Sequence, residues 1–437
     1  MVVTDIGGAF LNASMASTGV KVHMRLNPTI AAMLVQLSPG YAAFLEPSGS
    51  IVVELDKALY GCVEVSLLWF QDLRGKLVAY GFLANPYDQC VFNKFEDVTE
   101  IQITIVLHVD DLMITCVSQG LIDAFHAYLN SVYPETKSTS GPIVNYLGMC
   151  FDFAVSGEVS VTMENCVQDI LEGCGPVTAK PTPAASTLFE VRPDAAKAGE
   201  DVRKRFHTHV AKMLYLAKRV RPECLTAVAF LATRVHVCDI DDLAKLRRLL
   251  GYLKGTADRG ITLRIGDYMT VRGFIDAAYG VHSESGKSHT GCAIMLGDSG
   301  GALFAKSAKQ KIVTKSSTEA ELVGLSDTAS QAIHLRNFVI AQGYETGPAI
   351  IYQDNLSAMA LMKRGGPGSE RSRHISIRHF WVKEKVDQKE VVIMHMGTDK
   401  MVANALTKPV QGQQFVIERM GLTGWKESAA ASWNAGK

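Results

Sequence analysis

Two adjacent carboxylates, Asp110 and Asp111, close the apolar run that begins at Ile101. Acids at the end of a β-rich strand cannot both be buried without a cation, and a cation-loaded pair is what two-metal phosphoryl transfer requires. Alone the pair says little, because adjacent aspartates are also common in solvated turns. A third acid, Asp5, stands in the small and apolar stretch from Thr4 to Asn12, five residues before Phe10. A second set lies far downstream. Asp276 follows Gly273-Phe274-Ile275, Glu321 sits in the run from Ser316 to Leu322, and Asp354 follows the apolar run that starts at Ala349.

The elements that would hold the second set are legible in the pattern. Apolar runs ending in Asp276 and in Asp354 read as strands, the run from Thr290 to Leu296 as another, and Ser316 and Ser317 as capping hydroxyls that open a helix with early acids. Strand, strand, helix, strand with carboxylates at element ends places three acids at one rim of a mixed sheet. Glu319 and Glu321 cannot both line that rim, since residues two apart on a helix point about 200° from each other. Between the two sets, Tyr146 to Met163 reads as a short hairpin and Asn165 to Cys174 as a helix. The Pro-, Ala-, Ser- and Thr-rich stretch 176–193 reads as an exposed linker. Helical apolar spacing runs from His209 to Val237 and again from Leu243 to Leu253.

Composition bounds the rest. With 437 residues and 47% hydrophobic content, the chain can bury substantial cores and is expected to form two or more domains. No apolar run reaches the roughly 18 residues of a membrane span, and no charged-then-apolar leader opens the chain, so a soluble intracellular protein is expected. Nine scattered cysteines without a C-x-x-C pair argue against a disulfide framework or a zinc cluster. Net charge is zero, but its distribution is uneven. Residues 1–120 hold six Lys and Arg against twelve Asp and Glu, whereas residues 203–264 hold fourteen against five. A solvated helix face and a surface for phosphate backbones both fit the second segment.

The wording of the first segment is specific. Asp5-x-x-x-Ala9-Phe10-Leu11-Asn12, Lys57-Ala58-Leu59-Tyr60-Gly61, Asp88-x-Cys90-x-Phe92 and Val109-Asp110-Asp111-Leu112, in that order, closely resemble the palm of a copia-type retrotransposon reverse transcriptase. Downstream, Ser316-Ser317-Thr318-Glu319-Ala320-Glu321 and Tyr352-x-Asp354-Asn355-x-Ser357-Ala358 resemble the RNase H domain of the same family. The resemblance implies an α/β and α+β multidomain fold: a right-hand polymerase palm with truncated fingers over 1–150, a thumb or connection over 151–268 containing the 176–193 linker, a mixed-sheet RNase H-like domain over 269–412, and a C-terminal tail over 413–437.

It also implies roles. Asp5, Asp110 and Asp111 would hold two Mg²⁺ or Mn²⁺ ions about 4 Å apart, one at the primer 3′-hydroxyl and one at the triphosphate. Phe10, Gly61 and His108 would face substrate. Phe10 would lie under the sugar and reject a 2′-hydroxyl, Gly61 would let the backbone approach the nucleotide, and His108 replaces the family's tyrosine. By composition alone Phe10 is the better bet as a core aromatic, as are Trp69 and Trp381. Asp276, Glu321 and Asp354 would be the nuclease's metal-binding acids. Glu321 is chosen over Glu319 because apolar Leu322 follows it, which leaves Glu319 as a solvated first-turn acid. Asn404 stands where the family's A-D-x-L-T-K-P supplies a fourth acid, and would be a weakened ligand. The stretch 62–66 lacks the family's lysine.

Arg247 and Arg248, with Lys309 and Lys311 beside Lys306 and Lys315, and Arg371 and Arg373 near His374, Arg378 and His379, would bind nucleic acid. The implied partners are an RNA template, a DNA primer, their RNA:DNA hybrid, dNTPs and other parts of the Pol polyprotein, with no membrane. The implied places are a cytoplasmic virus-like particle and the nucleus. Only four residues precede Asp5, so a polyprotein fragment or a decayed copy is expected. The competing reading is a catalytically inactive, nucleic-acid-binding remnant.

Overall fold

The computed structural model describes residues 1–15, 21–363 and 376–425. They fall into two units that part between Val144 and Asn145. The first runs β1 (Val2–Ile6), α1 (Ala9–Asn12), β2 (His23–Leu26), α2 (Pro28–Leu37), β3 (Ile51–Glu54), α3 (Val65–Ala79), β4 (Leu83–Asn85), β5 (Asp88–Phe95), β6 (Gln102–His108), β7 (Asp111–Thr115), α4 (Gln119–Val132) and β8 (Thr136–Ser140). Six strands make one sheet in the order β4-β5-β6-β7-β1-β8, and β2 pairs with β3 in a separate two-stranded sheet. In β6 the isoleucines 103 and 105 and Leu107 are buried while their neighbours are not, the period-two pattern of a strand with one face on a core. That core is completed by Trp69, Leu73 and Leu77 of α3 and by Ile122, Phe125 and Leu129 of α4.

The second unit runs β9 (Ile143–Tyr146), β10 (Met149–Asp152), β11 (Val159–Thr162), α5 (Glu164–Glu172), α6 (Glu200–Arg219), α7 (Leu225–Arg234), α8 (Ile240–Lys254), β12 (Ile261–Leu263), β13 (Val271–His282), β14 (Lys287–Leu296), β15 (Phe304–Lys309), α9 (Ser317–Ala341), β16 (Ala349–Gln353), α10 (Leu356–Lys363), α11 (Ser376–Asp387), β17 (Val391–His395) and α12 (Gly412–Thr423), with β9 straddling the division. One sheet has the order β12-β11-β10-β9 and the other β15-β14-β13-β16-β17. Strand β13 is antiparallel to β14 but parallel to β16, and β16 is parallel to β17, so the sheet is mixed as expected. Among the described residues no helix is long and apolar enough to cross a membrane.

Three expectations are corrected here. The stretch 176–193 is no exposed linker. Its composition is that of one, yet Val177, Ala184 and Leu188 are buried in the same core as Phe206 and Leu250, and Lys180 N donates to the Gly251 carbonyl at 3.1 Å. Isolated apolar anchors without a period are invisible to a periodicity argument. Likewise 413–437 does not begin as a tail, since α12 buries Phe415 and Leu422. One cluster takes in Val161, Phe206, Phe274, Leu406 and Phe415, so the helices and the five-stranded sheet share a core rather than parting at 268.

The strap over α8 depends on a missing side chain. A Cβ on Gly251 would lie 2.3 Å from the Thr178 carbonyl oxygen, inside van der Waals contact with backbone that cannot rotate away. Gly251→Ala should therefore cost about 1–3 kcal/mol and expose 176–193 to limited proteolysis. A melting temperature and cleavage pattern equal to the parent's would show that the strap is not packed on α8.

Candidate functional site

In the first unit β1 lies between β7 and β8, and that placement sets Asp5 directly opposite Asp111. Asp110 sits in the tight connection from β6 to β7, with Val109 before it at φ 56°. A β-branched residue in left-handed conformation costs on the order of 1–3 kcal/mol and persists only where its surroundings hold it. Here they do. The Trp69 indole, 1% exposed, donates from Nε1 to the Val109 carbonyl at 2.5 Å, and Ile6 N donates to the Asp110 carbonyl at 3.1 Å. Trp69 is thus a core residue, as composition suggests, that also fixes the turn carrying an acid.

Burial first, then Asp110 and Asp5, push the Asp111 carboxyl above its ordinary range, and His108 opposes them. Asp5 is exposed, Asp110 and Asp111 half-buried. The words Asp5–Asn12 and Lys57–Gly61 meet: Ala58 N donates to the Ala13 carbonyl at 3.0 Å and Lys57 Nζ to the Asn12 carbonyl at 3.1 Å. Phe10 is buried, its ring 4.5 Å from that of Tyr60. Gly61 adopts φ 101° with open space where a Cβ would stand, so the left-handed backbone itself demands glycine there. His108 is exposed and pairs across the strands with Asp111.

In the second unit Asp276 on β13, Glu321 on α9 and Asp354 after β16 converge, each offering a carboxylate oxygen within 4.8 Å of the others. Glu321, Gly324 and Thr328 share the helix face that lies on β13. A Cβ on Gly324 would meet Ile275 at 2.4 Å, so the absence of a side chain lets the helix approach closely. Glu321 then reaches the sheet, accepting from Ala277 N at 3.2 Å and from Gln353 Nε2 at 3.3 Å. Burial, Asp276 and Asp354 push its carboxyl up to about 8. Asp276 accepts from the Thr407 hydroxyl and from Lys408 Nζ, the latter at 3.0 Å. Asp354 accepts from Thr398 Oγ1 at 2.9 Å. Oxygen-only donors crowded this closely fit a hard divalent cation, which would relieve their repulsion.

Asn404 is buried behind this set. Its Oδ1 accepts from Lys408 Nζ at 3.0 Å and its Nδ2 donates to the Thr398 carbonyl at 2.7 Å. Glu319 is not the solvated acid expected: it is 8% exposed and accepts from Lys315 N at 2.7 Å, while its own N–H donates to Ser316 Oγ at 3.2 Å. The capping function that places an acid in the first turn also draws its side chain back onto the backbone. Thr398, Thr407, Lys408 and Gln353 were missed by a search for acids; the Thr407-Lys408-Pro409 word following Asn404 held the signal for two of them.

The basic residues separate. Arg247 is exposed and lines a groove of about 510 Å³ with Arg205 and His209. Arg248, its neighbour on α8, is half-buried and donates to Thr182 Oγ1 at 2.7 Å, so the two do not form one patch. Lys309 lies half-buried on β15 and Lys311 is exposed just beyond it. Lys306 and Arg378 both pair with Asp327. Arg371, Arg373 and His374 lie outside the described residues.

Residues 4–184 match the family described as reverse transcriptase (RNA-dependent DNA polymerase). The Retrovirus-related Pol polyprotein from transposon TNT 1-94 of Nicotiana tabacum is 27% identical over 84% of this chain and 28% of its own length. That from transposon RE1 of Arabidopsis thaliana is 28% identical over 85% of this chain and 25% of its own. The chain thus spans about a quarter of these polyproteins. A putative transposon Ty5-1 protein of Saccharomyces cerevisiae is 23% identical over 75% of this chain and 99% of its own length. Among solved structures, an RNase H1 isolated from compost aligns with 32% of this chain and 92% of its own at 16% identity and a TM-score of 0.25. At that score the likeness decides nothing, and the mixed sheet rests on its own strand pairing.

The raised Glu321 carboxyl has a sign that can be measured. Because it keeps its proton to about 8 when folded, against an ordinary 4.5, the folded chain binds more protons than the unfolded across that window, and stability falls as pH rises through it. Glu321→Gln removes this dependence, so the variant should melt above the parent at pH 8, with the gap closing toward pH 5. Mg²⁺ should raise the parent's melting temperature more at pH 8 than at pH 6, since the cation needs the ionised acid. Parallel pH profiles for parent and variant would rule out the crowded triad.

Proposed function

We propose that this chain, similar over most of its length to the copia-type retrotransposon Pol polyproteins and matching the reverse transcriptase family over residues 4–184, is the reverse transcriptase and RNase H stretch of such a polyprotein, copying element RNA into DNA and cleaving the RNA of the resulting hybrid. The observation that carries the second activity is the convergence of buried Asp276 and Glu321 with half-buried Asp354. The first rests on the family match together with the register that faces Asp5 with Asp111.

In the first unit Asp5, Asp110 and Asp111 would hold the divalent ions. Such ions, when bound, activate the primer 3′-hydroxyl and neutralise the triphosphate of the dNTP. The protein's own part is placement: Trp69 and Ile6 fix the Val109–Asp110 turn, and Phe10, on which the more exposed Tyr60 ring packs, would lie under the sugar. In the second unit Asp276, Glu321 and Asp354 would hold Mg²⁺ or Mn²⁺, which supplies an activated water and charge stabilisation at the scissile phosphate. Glu321 gives up its proton as the ion enters. Thr398 and Thr407 hold the Asp354 and Asp276 carboxylates in place, and Lys408 offsets charge at the rim. RNA template, DNA primer and hybrid would be the partners, with Arg247, Lys309 and Lys311 as phosphate contacts.

Two separable losses test this. Asp110→Asn should bring primer extension on an RNA template to background while leaving hybrid cleavage intact. Asp276→Asn should do the reverse. If neither activity is found in the parent while hybrid binding persists and weakens steeply with salt, the inactive-remnant reading replaces this one.

A further inference from the structure

A fourth acid stands behind the triad, from an element that no acid motif marks. Glu418 on α12 is 2% exposed, far more buried than a carboxylate accepts without a reason. Its Oε1 accepts from Gln414 Nε2 at 2.8 Å, and Gln414 in turn donates to the Asp399 carbonyl. Its Oε2 is buried with no hydrogen-bond partner. Burial pushes the Glu418 carboxyl up, Gln414, Asn404 and Lys408 pull against that, and Asp276 adds to it. The segment Val402–Leu406 packs against α12, so four groups stand in sequence: Asp276, the Lys408 ammonium that contacts both Asp276 and Asn404, the Asn404 amide, and Glu418 on the helix behind it.

We propose that Glu418 is a positioning residue for this site, a carboxylate set one side chain back, with the Asn404 amide oriented by it so that Oδ1 faces Lys408 and Nδ2 faces Glu418 and the Thr398 carbonyl. On this view Asn404 is not an acid that has lost its charge. The position needs a donor, because an oxygen in place of Nδ2 would meet the Thr398 carbonyl and the Glu418 carboxylate. The inference rests on the nuclease reading for its link to a cation, but the coupling between positions 404 and 418 does not.

The test is an exchange of acid and amide. Without metal, N404D should lower the melting temperature, by crowding two carboxylates and removing a donor. N404D/E418Q should recover part of it, the part due to two facing carboxylates, because the amide introduced on α12 brings a donor to position 404 and one acid remains, while the Thr398 carbonyl still lacks its donor. With Mn²⁺ as the probe, E418Q should weaken binding by about 10-fold or more, the scale on which groups that orient metal ligands act, and the double variant should regain part of that loss. Additive melting shifts in the two variants would overturn the coupling, as would unchanged Mn²⁺ affinity in E418Q. Should E418Q alone fail to fold, the double variant decides: recovery supports the exchange and failure overturns it. A parent that binds no Mn²⁺ would sink the nuclease reading, while the metal-free melting cycle still judges the Glu418 proposal.

Discussion

Carboxylates forced together away from water are the constraint on which the second unit depends. Each of Asp276, Glu321 and Asp354 repels the other two, and desolvation adds to that cost. The chain meets it with donors drawn from distant sequence: the Ala277 backbone N–H and Gln353 at Glu321, Thr398 at Asp354, Thr407 and Lys408 at Asp276. Their common effect is to hold the acids in a geometry they would otherwise leave, which is how a site is preorganised for a cation.

The first unit solves a milder version of the problem with its backbone. Its acids are more exposed, so solvent takes part of the charge, and the difficulty moves to conformation. Inserting β1 between β7 and β8 brings Asp5 to Asp111, but the connection that presents Asp110 passes through a left-handed valine. An indole buried in the core, bonded to that valine's carbonyl, turns hydrophobic packing into the force that keeps the turn closed. Stability of the sheet's core and geometry of the acids are therefore one property.

Much of this was legible in the sequence, and the exceptions have a common cause. Asp110, Asp111, Asp276 and Asp354 stand out because each closes an apolar run that reads as a strand, whereas Asp5 and the choice of Glu321 over Glu319 come from the family's wording alone. The buried positions of Glu319 and Glu418 could not be read in this way, since an acid on a helix reads as solvated unless its packing is known: the Glu319 carboxyl folds back onto a backbone N–H, and α12 lies against the segment Val402–Leu406. Arg247 and Arg248 count alike toward the basic charge of 203–264, although adjacent helical residues point about 100° apart. The strap at 176–193 was hidden because composition reports average polarity, whereas packing depends on the few side chains that find a core.

A single small residue shows how far the site depends on the frame around it. Asp276 lies opposite Gly291 in the β13–β14 register, and a Cβ at Gly291 would fall 2.6 Å from the Leu406 Cβ and 2.8 Å from Thr407 Cγ2. The segment Val402–Leu406 therefore rests directly on β14 where the strand has no side chain. That contact carries Thr407 and Lys408 to Asp276 and places Asn404 next to α12. Moving the strand surface outward by one methyl would lift the segment and withdraw both donors from the acid at once. The chemistry of the rim is thus set by the thickness of the sheet beneath it, and a residue with no functional group decides which functional groups can meet.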